Sequence, residues 1–208
     1  MKNKRIIAVV GATGTQGGSV ARAILADRDG DFSLRALTRK PSSARAQALA
    51  REGAEVAYAD LDDLESIKQA FTGAYGAYCM TDFWGGDGDP ERERLQGSKM
   101  AEAAHCASLQ HVVWSTLEDT RRYMPLSDSR MPTLLGKYKV PHFDAKGEAD
   151  RVFAEEGAPT TYLLAAFYAS AASFALIWPD RPAVFQSLSR SSSPLVGALH
   201  RTPNTLSH

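Results

Sequence analysis

From residue 5 onward the chain alternates short apolar runs with stretches in which apolar residues return every three or four positions. Residues 6–10 (Ile-Ile-Ala-Val-Val) are continuous, rich in β-branched side chains and stopped by Gly11, as in a strand buried on both faces. After the glycines that follow, Val20, Ala21, Ile24 and Leu25 share one helical face. Residues 33–38 alternate and predict a second strand, 41–51 a short helix, and 55–59 a third strand. Asp62 or Asp63 then caps a helix whose face is Leu64, Ile67, Ala70 and Phe71. A fourth strand is expected over 74–80, weakened by Gly76, and a helix over 92–109 that carries Leu95, Met100 and Ala104. Residues 111–115 predict a fifth strand, 143–153 a helix and 160–164 a sixth strand.

Strands that alternate with helices predict an α/β fold, a Rossmann-type doubly wound parallel sheet with helices on both faces. Ligands of such sheets bind beyond the carboxyl ends of the strands. Two stretches stand outside the pattern. Residues 118–141 hold Pro125, Pro132, Gly136 and clustered charges, which predicts a long loop of the kind that is usually functional or mobile. From residue 177 periodicity fades into a Ser/Pro-rich stretch. The expected organisation is one dinucleotide-type domain over 1–170 and a divergent, poorly ordered tail over 171–208, as a truncated or re-spliced reading frame would produce.

Composition narrows the partners. The 208 residues carry 24 Lys plus Arg against 24 Asp plus Glu, so no electrostatic attraction to nucleic acid or to an anionic membrane is expected. Little repulsion opposes self-association, which leaves a homodimer open. Cys79 and Cys106 have no metal-type spacing and read as small core residues of a reducing compartment, with no metal site expected. The opening Lys-Asn-Lys-Arg and apolar run mimic a secretory leader but meet a glycine turn instead of a cleavage site. No run is long enough to span a bilayer, so a cytoplasmic location is expected, with the nucleus also open.

The chemistry concentrates at Gly11-Ala-Thr-Gly14-Thr-Gln-Gly17, between a buried strand and an amphipathic helix. Gly11 permits a tight exit from the strand, Gly14 lets backbone approach a pyrophosphate, and Gly17 lets helix pack on strand. Phosphate charge then meets free N–H groups and the dipole at the helix N-terminus. The second strand ends in Thr38-Arg39-Lys40. An NAD site usually places an acid there for the ribose 2′-hydroxyl, whereas a 2′-phosphate needs cations, so NADP(H) is the expected cofactor. Asp60, ending the third strand, is suited either to accept from the adenine amino group or simply to cap a turn.

With these residues the chain resembles the NmrA-like family, a branch of the atypical short-chain dehydrogenase/reductases. The likeness rests on residues 11–20, Thr38-Arg39, residues 53–63 with Asp60-Leu61, Thr81-Asp-Phe-Trp84, residues 113–118 and residues 142–148. The resemblance implies that Gly11, Ala12, Thr13, Gly14, Thr15 and Gln16 cradle the pyrophosphate and Arg39 the 2′-phosphate. It further implies that Asp60 and Leu61 flank adenine and that Thr81 approaches the ribose. Lys146 is then expected to bond the nicotinamide ribose, with Tyr168 near the nicotinamide. The family includes reductases of small carbonyl or quinone-like compounds, accessory oxidoreductases of secondary metabolism, and redox regulators that bind the cofactor and a protein partner without turnover.

Active short-chain dehydrogenases use Ser, Tyr and Lys, with the tyrosine four residues before the lysine as general acid/base. Here Ser115 closes the fifth strand and Lys146 sits on its helix, but the position four before it is His142. A histidine can deliver a proton near neutral pH, yet its ring is shorter than a phenol. Pro141 just before it suggests a helix start, where the histidine would simply be exposed. Tyr123 and Tyr138 in the long loop are alternative acids. Ser115, His142 and Lys146 are thus the candidate catalytic residues of an NADP(H)-dependent oxidoreductase acting on a small-molecule substrate; a non-catalytic NADP(H) sensor that regulates a protein partner is the competing expectation.

Overall fold

The computed structural model describes residues 3–165. Six strands, β1 (Arg5–Val9), β2 (Phe32–Thr38), β3 (Glu55–Tyr58), β4 (Gly76–Cys79), β5 (His111–Thr116) and β6 (Thr160–Leu164), form one sheet. Their order is β3-β2-β1-β4-β5-β6 and every pairing is parallel. The direction of winding reverses between β1 and β4, so a crevice opens beyond the carboxyl ends of those two strands.

The crossover helices are α1 (Thr15–Ala26), α2 (Ala44–Arg51), α3 (Leu64–Phe71), α4 (Pro90–Cys106) and α5 (Pro141–Glu155). Each face of the sheet has its own apolar cluster. Val9, Leu34 and Tyr78 meet Ala21 of α1 and Leu49 of α2 on one side. On the other, Ile67 and Phe71 of α3, Met100 of α4 and Phe153 of α5 close over Val112 and Trp114. Trp114 stacks on Phe153 with ring centroids 4.8 Å apart, and its indole N–H donates to Asp150 at 2.8 Å, which satisfies the one polar atom of a fully buried ring.

Local chemistry fixes the helix starts. Asp63, not Asp62, caps α3 by accepting from the N–H groups of Glu65 and Ser66. Asp89 caps α4 with Pro90 in its first turn, so that helix begins two residues before Arg92, where its apolar spacing starts. Pro141 likewise begins α5, placing His142 in the first turn.

Residues 118–141 form a long connection anchored to the domain by hydrogen bonds and ion pairs. Asp144, fully buried on α5, accepts from Thr120 N–H (2.8 Å), the Thr120 hydroxyl (2.6 Å) and Lys139 N–H (2.7 Å). Arg121 pairs with Asp119 and with Glu148, each at 2.8 Å. The buried Lys139 ammonium donates to the carbonyls of Asp128 and Met131, both at 2.7 Å. Backbone and charged groups that a free loop would leave to water are therefore paired with the domain. The cysteines divide: Cys79 is core as expected, but Cys106, on the last turn of α4, is exposed. No helix among the described residues is long and apolar enough to cross a membrane. Tyr168 and the expected tail over 171–208 lie outside the described residues.

Candidate functional site

A cavity of about 380 Å³ lies beyond the ends of β1 to β4. Gly11, Thr13, Arg39, Lys40, Asp60 and Leu61 all line it, so residues far apart in sequence converge as expected. The glycine turn fits a phosphate group on its backbone geometry. Gly11 has φ +67°, and a Cβ at Gly17 would lie 2.4 Å from the Val10 carbonyl oxygen and 2.5 Å from that of Gly11. The first turn of α1 starts at Gly14 without any side-chain cap and without an acid, which leaves its N–H groups to an anion. Ala12, Gly14, Thr15, Gln16 and Gly17 belong to this same turn, though the cavity wall itself is made by Gly11 and Thr13.

Arg39 and Lys40 are exposed at the β2 end of the cavity and form no ion pair among the described residues, so both charges are available to a ligand phosphate. Asp60 lines the cavity, and its Oδ1 accepts from Asp62 N–H at 3.0 Å in a turn. The Asp62 carboxylate faces Arg92, Nη2 to Oδ2 2.5 Å, and Gln96 at 2.8 Å; the Arg92 hydrogen bonds hold it down at about 2. This network ties the start of α3 to the start of α4 across the cavity mouth.

Deeper in, the carboxyl ends of β4 and β5 meet α5. The Lys146 ammonium, 8% exposed, donates to the Ser115 carbonyl at 3.0 Å and lies 5.2 Å from the Trp114 ring centroid. Burial pushes its pKa down, while the charge of Glu93 opposes that shift. The Ser115 hydroxyl accepts from the Gln16 side-chain amide at 2.6 Å, so the glycine turn and the serine are directly coupled. Thr81 is buried and its hydroxyl donates to Glu93 Oε1 at 2.6 Å.

His142 is half-buried in a cluster of aromatic rings. Its ring lies 5.3 Å from Phe83, 5.2 Å from Trp84 and 4.9 Å from Phe143, centroid to centroid. Burial and the nearby Lys146 charge both push its pKa down, so the neutral ring prevails at pH 7. It is therefore neither freely exposed nor a ready proton donor. Phe83 also lines the cavity, which joins this cluster to it.

Comparison with known proteins agrees with this geometry. The model of the NmrA-like family matches residues 3–188. The chain belongs to the NmrA-like family. The NmrA-like oxidoreductase FrzB of Cladobotryum sp. is 43% identical over 115 residues, which is 53% of this chain and 33% of that protein. The NmrA-like oxidoreductase NotA of Aspergillus sp. (strain MF297-2) is 33% identical over 159 residues, 74% of this chain and 43% of NotA. The crystal structure of the negative transcriptional regulator NmrA in complex with NADP superposes with a TM-score of 0.61 at 27% identity, covering 77% of this chain and 45% of NmrA. NmrA has also been crystallised with NAD. The chain thus spans less than half the length of these relatives.

Within this NmrA-like domain the remaining sequence expectations sort clearly. The two alternative acids fall away. Tyr138 is fully buried, its hydroxyl donates to Glu91 at 2.6 Å, and burial raises it to about 12. Tyr123 is exposed and donates to Glu118 at 3.2 Å; like Thr81, Ser115, His142 and Lys146, it is not part of the cavity wall. Thr81 stands at the end of β4 as expected, yet its hydroxyl is engaged by Glu93. Glu93 itself escaped the sequence reading, because Glu91-Arg92-Glu93-Arg94 looks like a solvated helix start. Only the phase of α4 against β4 and α5 turns this one acid of the run inward. Among the described residues no group of three or more His, Cys, Asp or Glu is placed to hold a metal ion.

Proposed function

We propose that the cavity holds NADP(H) and that the chain serves an oxidoreductase acting on a small, flat carbonyl or quinone-like compound, in an accessory step of metabolite biosynthesis. The observation that carries this reading is one cavity lined at once by the glycine turn, by Arg39 and Lys40, and by Phe83 of the aromatic cluster. Arg39 and Lys40 supply the cations that a 2′-phosphate requires, and the uncapped α1 supplies the pyrophosphate seat. FrzB and NotA are named oxidoreductases, and NmrA binds NADP, which supports the same assignment.

The cofactor, when bound, supplies hydride; the protein contributes position and charge. Lys146, fixed on the Ser115 carbonyl, keeps N–H donors for an acceptor oxygen or a cofactor hydroxyl. Phe83, Trp84, His142 and Phe143 offer faces on which a planar acceptor stacks, an arrangement worth about 0.5–1.5 kcal/mol per ring pair beyond simple burial. Steady-state NADPH oxidation over a panel of quinones and carbonyls tests the proposal. Turnover with planar acceptors is expected, and H142F, which keeps the ring contacts but removes the proton, should retain most of it. Absence of turnover with cofactor binding intact would overturn the enzymatic reading.

That second outcome would favour a sensor that binds a protein partner according to cofactor redox state. The observation behind it is the enclosed, neutral His142 where an active dehydrogenase carries tyrosine. It requires partner affinity to differ between NADP+ and NADPH.

A further inference from the structure

Glu93 is the least explained group in the domain. It is 3% exposed and forms part of the cavity wall from the first turn of α4. Its Oε1 accepts from Thr81 at 2.6 Å, and the Lys146 ammonium stands 3.9 Å from that same oxygen, beyond hydrogen-bond reach. Its Oε2 is buried and has no hydrogen-bond partner among the described residues. A buried carboxylate oxygen left alone is destabilising, and a leucine would fill the space without it. The arginines beside it on α4 are directed elsewhere, Arg92 to Asp62 and Arg94 to Glu91. The charges that bear on Glu93 are Lys146 of α5, which attracts it, and Asp82 after β4, which repels it.

We propose that Glu93 is a ligand-contacting residue whose Oε2 accepts a hydrogen bond from a sugar hydroxyl of the bound dinucleotide, on the half remote from Arg39. A hydroxyl suits the place where a phosphate does not: Glu93 and Asp82 make this wall acidic, while the cations and the uncapped helix lie at the other walls. The half remote from Arg39 follows from Thr81, Lys146 and Ser115, which gather around Glu93 at the ends of β4 and β5, across β1 from the end of β2 that carries Arg39. Ligand binding then gives the orphaned oxygen its donor and sets that hydroxyl beside the Lys146 ammonium. Burial raises the Glu93 pKa, which makes the carboxylate a stronger acceptor once a donor arrives.

The inference rests on the cavity binding a dinucleotide, not on turnover. The test compares wild-type protein with E93Q in two titrations, one with NADPH followed by its fluorescence and one with 2′-phosphoadenosine 5′-phosphate by calorimetry. E93Q keeps the shape and the Thr81 contact but loses the charged acceptor. We expect NADPH to bind about ten- to a hundredfold more weakly, as for loss of a hydrogen bond to a charged group. The adenosine-half ligand should bind both proteins within about twofold. E93D, which keeps the charge but withdraws it by one methylene, should weaken NADPH alone in the same way and serves if E93Q does not fold. Equal NADPH affinity in wild type and variant overturns the proposal, as does an equal loss for both ligands. A wild type that binds neither ligand removes the cofactor reading itself, and the proposal with it.

Discussion

Replacing Gly17 by alanine probes the contact on which the whole cradle depends. The added methyl would sit 2.4 Å from the Val10 carbonyl oxygen, 2.5 Å from the Gly11 oxygen and 2.6 Å from the Gly11 carbonyl carbon. All three are backbone atoms, so no rotamer change relieves the clash. Restoring an ordinary separation requires α1 to retreat from β1 by about 1 Å, which loosens Ala21 and its neighbours from the sheet. Overpacking of this kind costs about 1–3 kcal/mol, and the absence of a yielding side chain points to the upper end. Alanine returns about 1 kcal/mol as a better helix former, leaving a net loss of about 2 kcal/mol. For a domain of this size that lowers Tm by roughly 4–8 °C. Gly18→Ala is the internal control. Its methyl would meet the Ala12 oxygen at 3.2 Å and the movable Arg22 guanidinium at 3.3 Å, so its contacts and its helix preference nearly cancel. Thermal unfolding by circular dichroism, with an NADPH titration of each variant, reads both effects. If G17A melts within about 1 °C of wild type, or G18A falls as far as G17A, the packing argument is wrong.

Two further outcomes follow from other parts of the site. Arg39→Ala should weaken NADPH binding about ten- to a hundredfold and leave NADH affinity unchanged, since only the 2′-phosphate needs the guanidinium; parallel titrations with both cofactors check it, and an equal loss for both would contradict the assignment. Asp150 accepts from Trp114 and Thr116 in a buried setting that raises its pKa from 3.8 to about 6. The fold therefore favours the protonated form, and stability declines as pH rises from about 4 to about 6. Asp150→Asn keeps both acceptor contacts through its amide oxygen and should recover about 2–3 kcal/mol relative to wild type across that window. Urea denaturation at pH 4.5 and 7 measures the difference, and parallel profiles for the two proteins would refute it.

Much of this architecture is written in local patterns. The β-branched run before Gly11 predicts β1, the alternation over 33–38 lies within β2, and the apolar face of Leu64, Ile67, Ala70 and Phe71 is the buried face of α3. These are legible because strand and helix periods act on neighbouring residues and because a parallel sheet needs apolar runs. The glycine spacing and the Arg39-Lys40 pair could be read in the same way, since the turn and the strand end lie where the backbone itself puts them. The loop over 118–141 could not: its anchors are Asp144 and Glu148 on the following helix, and no spacing rule announces them.

Local sequence pattern was thus enough for the fold class, the glycine turn after β1 and the cationic end of the cavity. Tertiary structure alone decided how charged and titratable side chains are used. It buried Tyr138, enclosed His142 among aromatic rings, left Cys106 in solvent, and drew Glu93 out of a charged run to stand near Lys146. The physical reason is that a side chain's titration and partners depend on burial and on groups brought from distant strands, whereas helix and strand formation depend mainly on residues a few positions away.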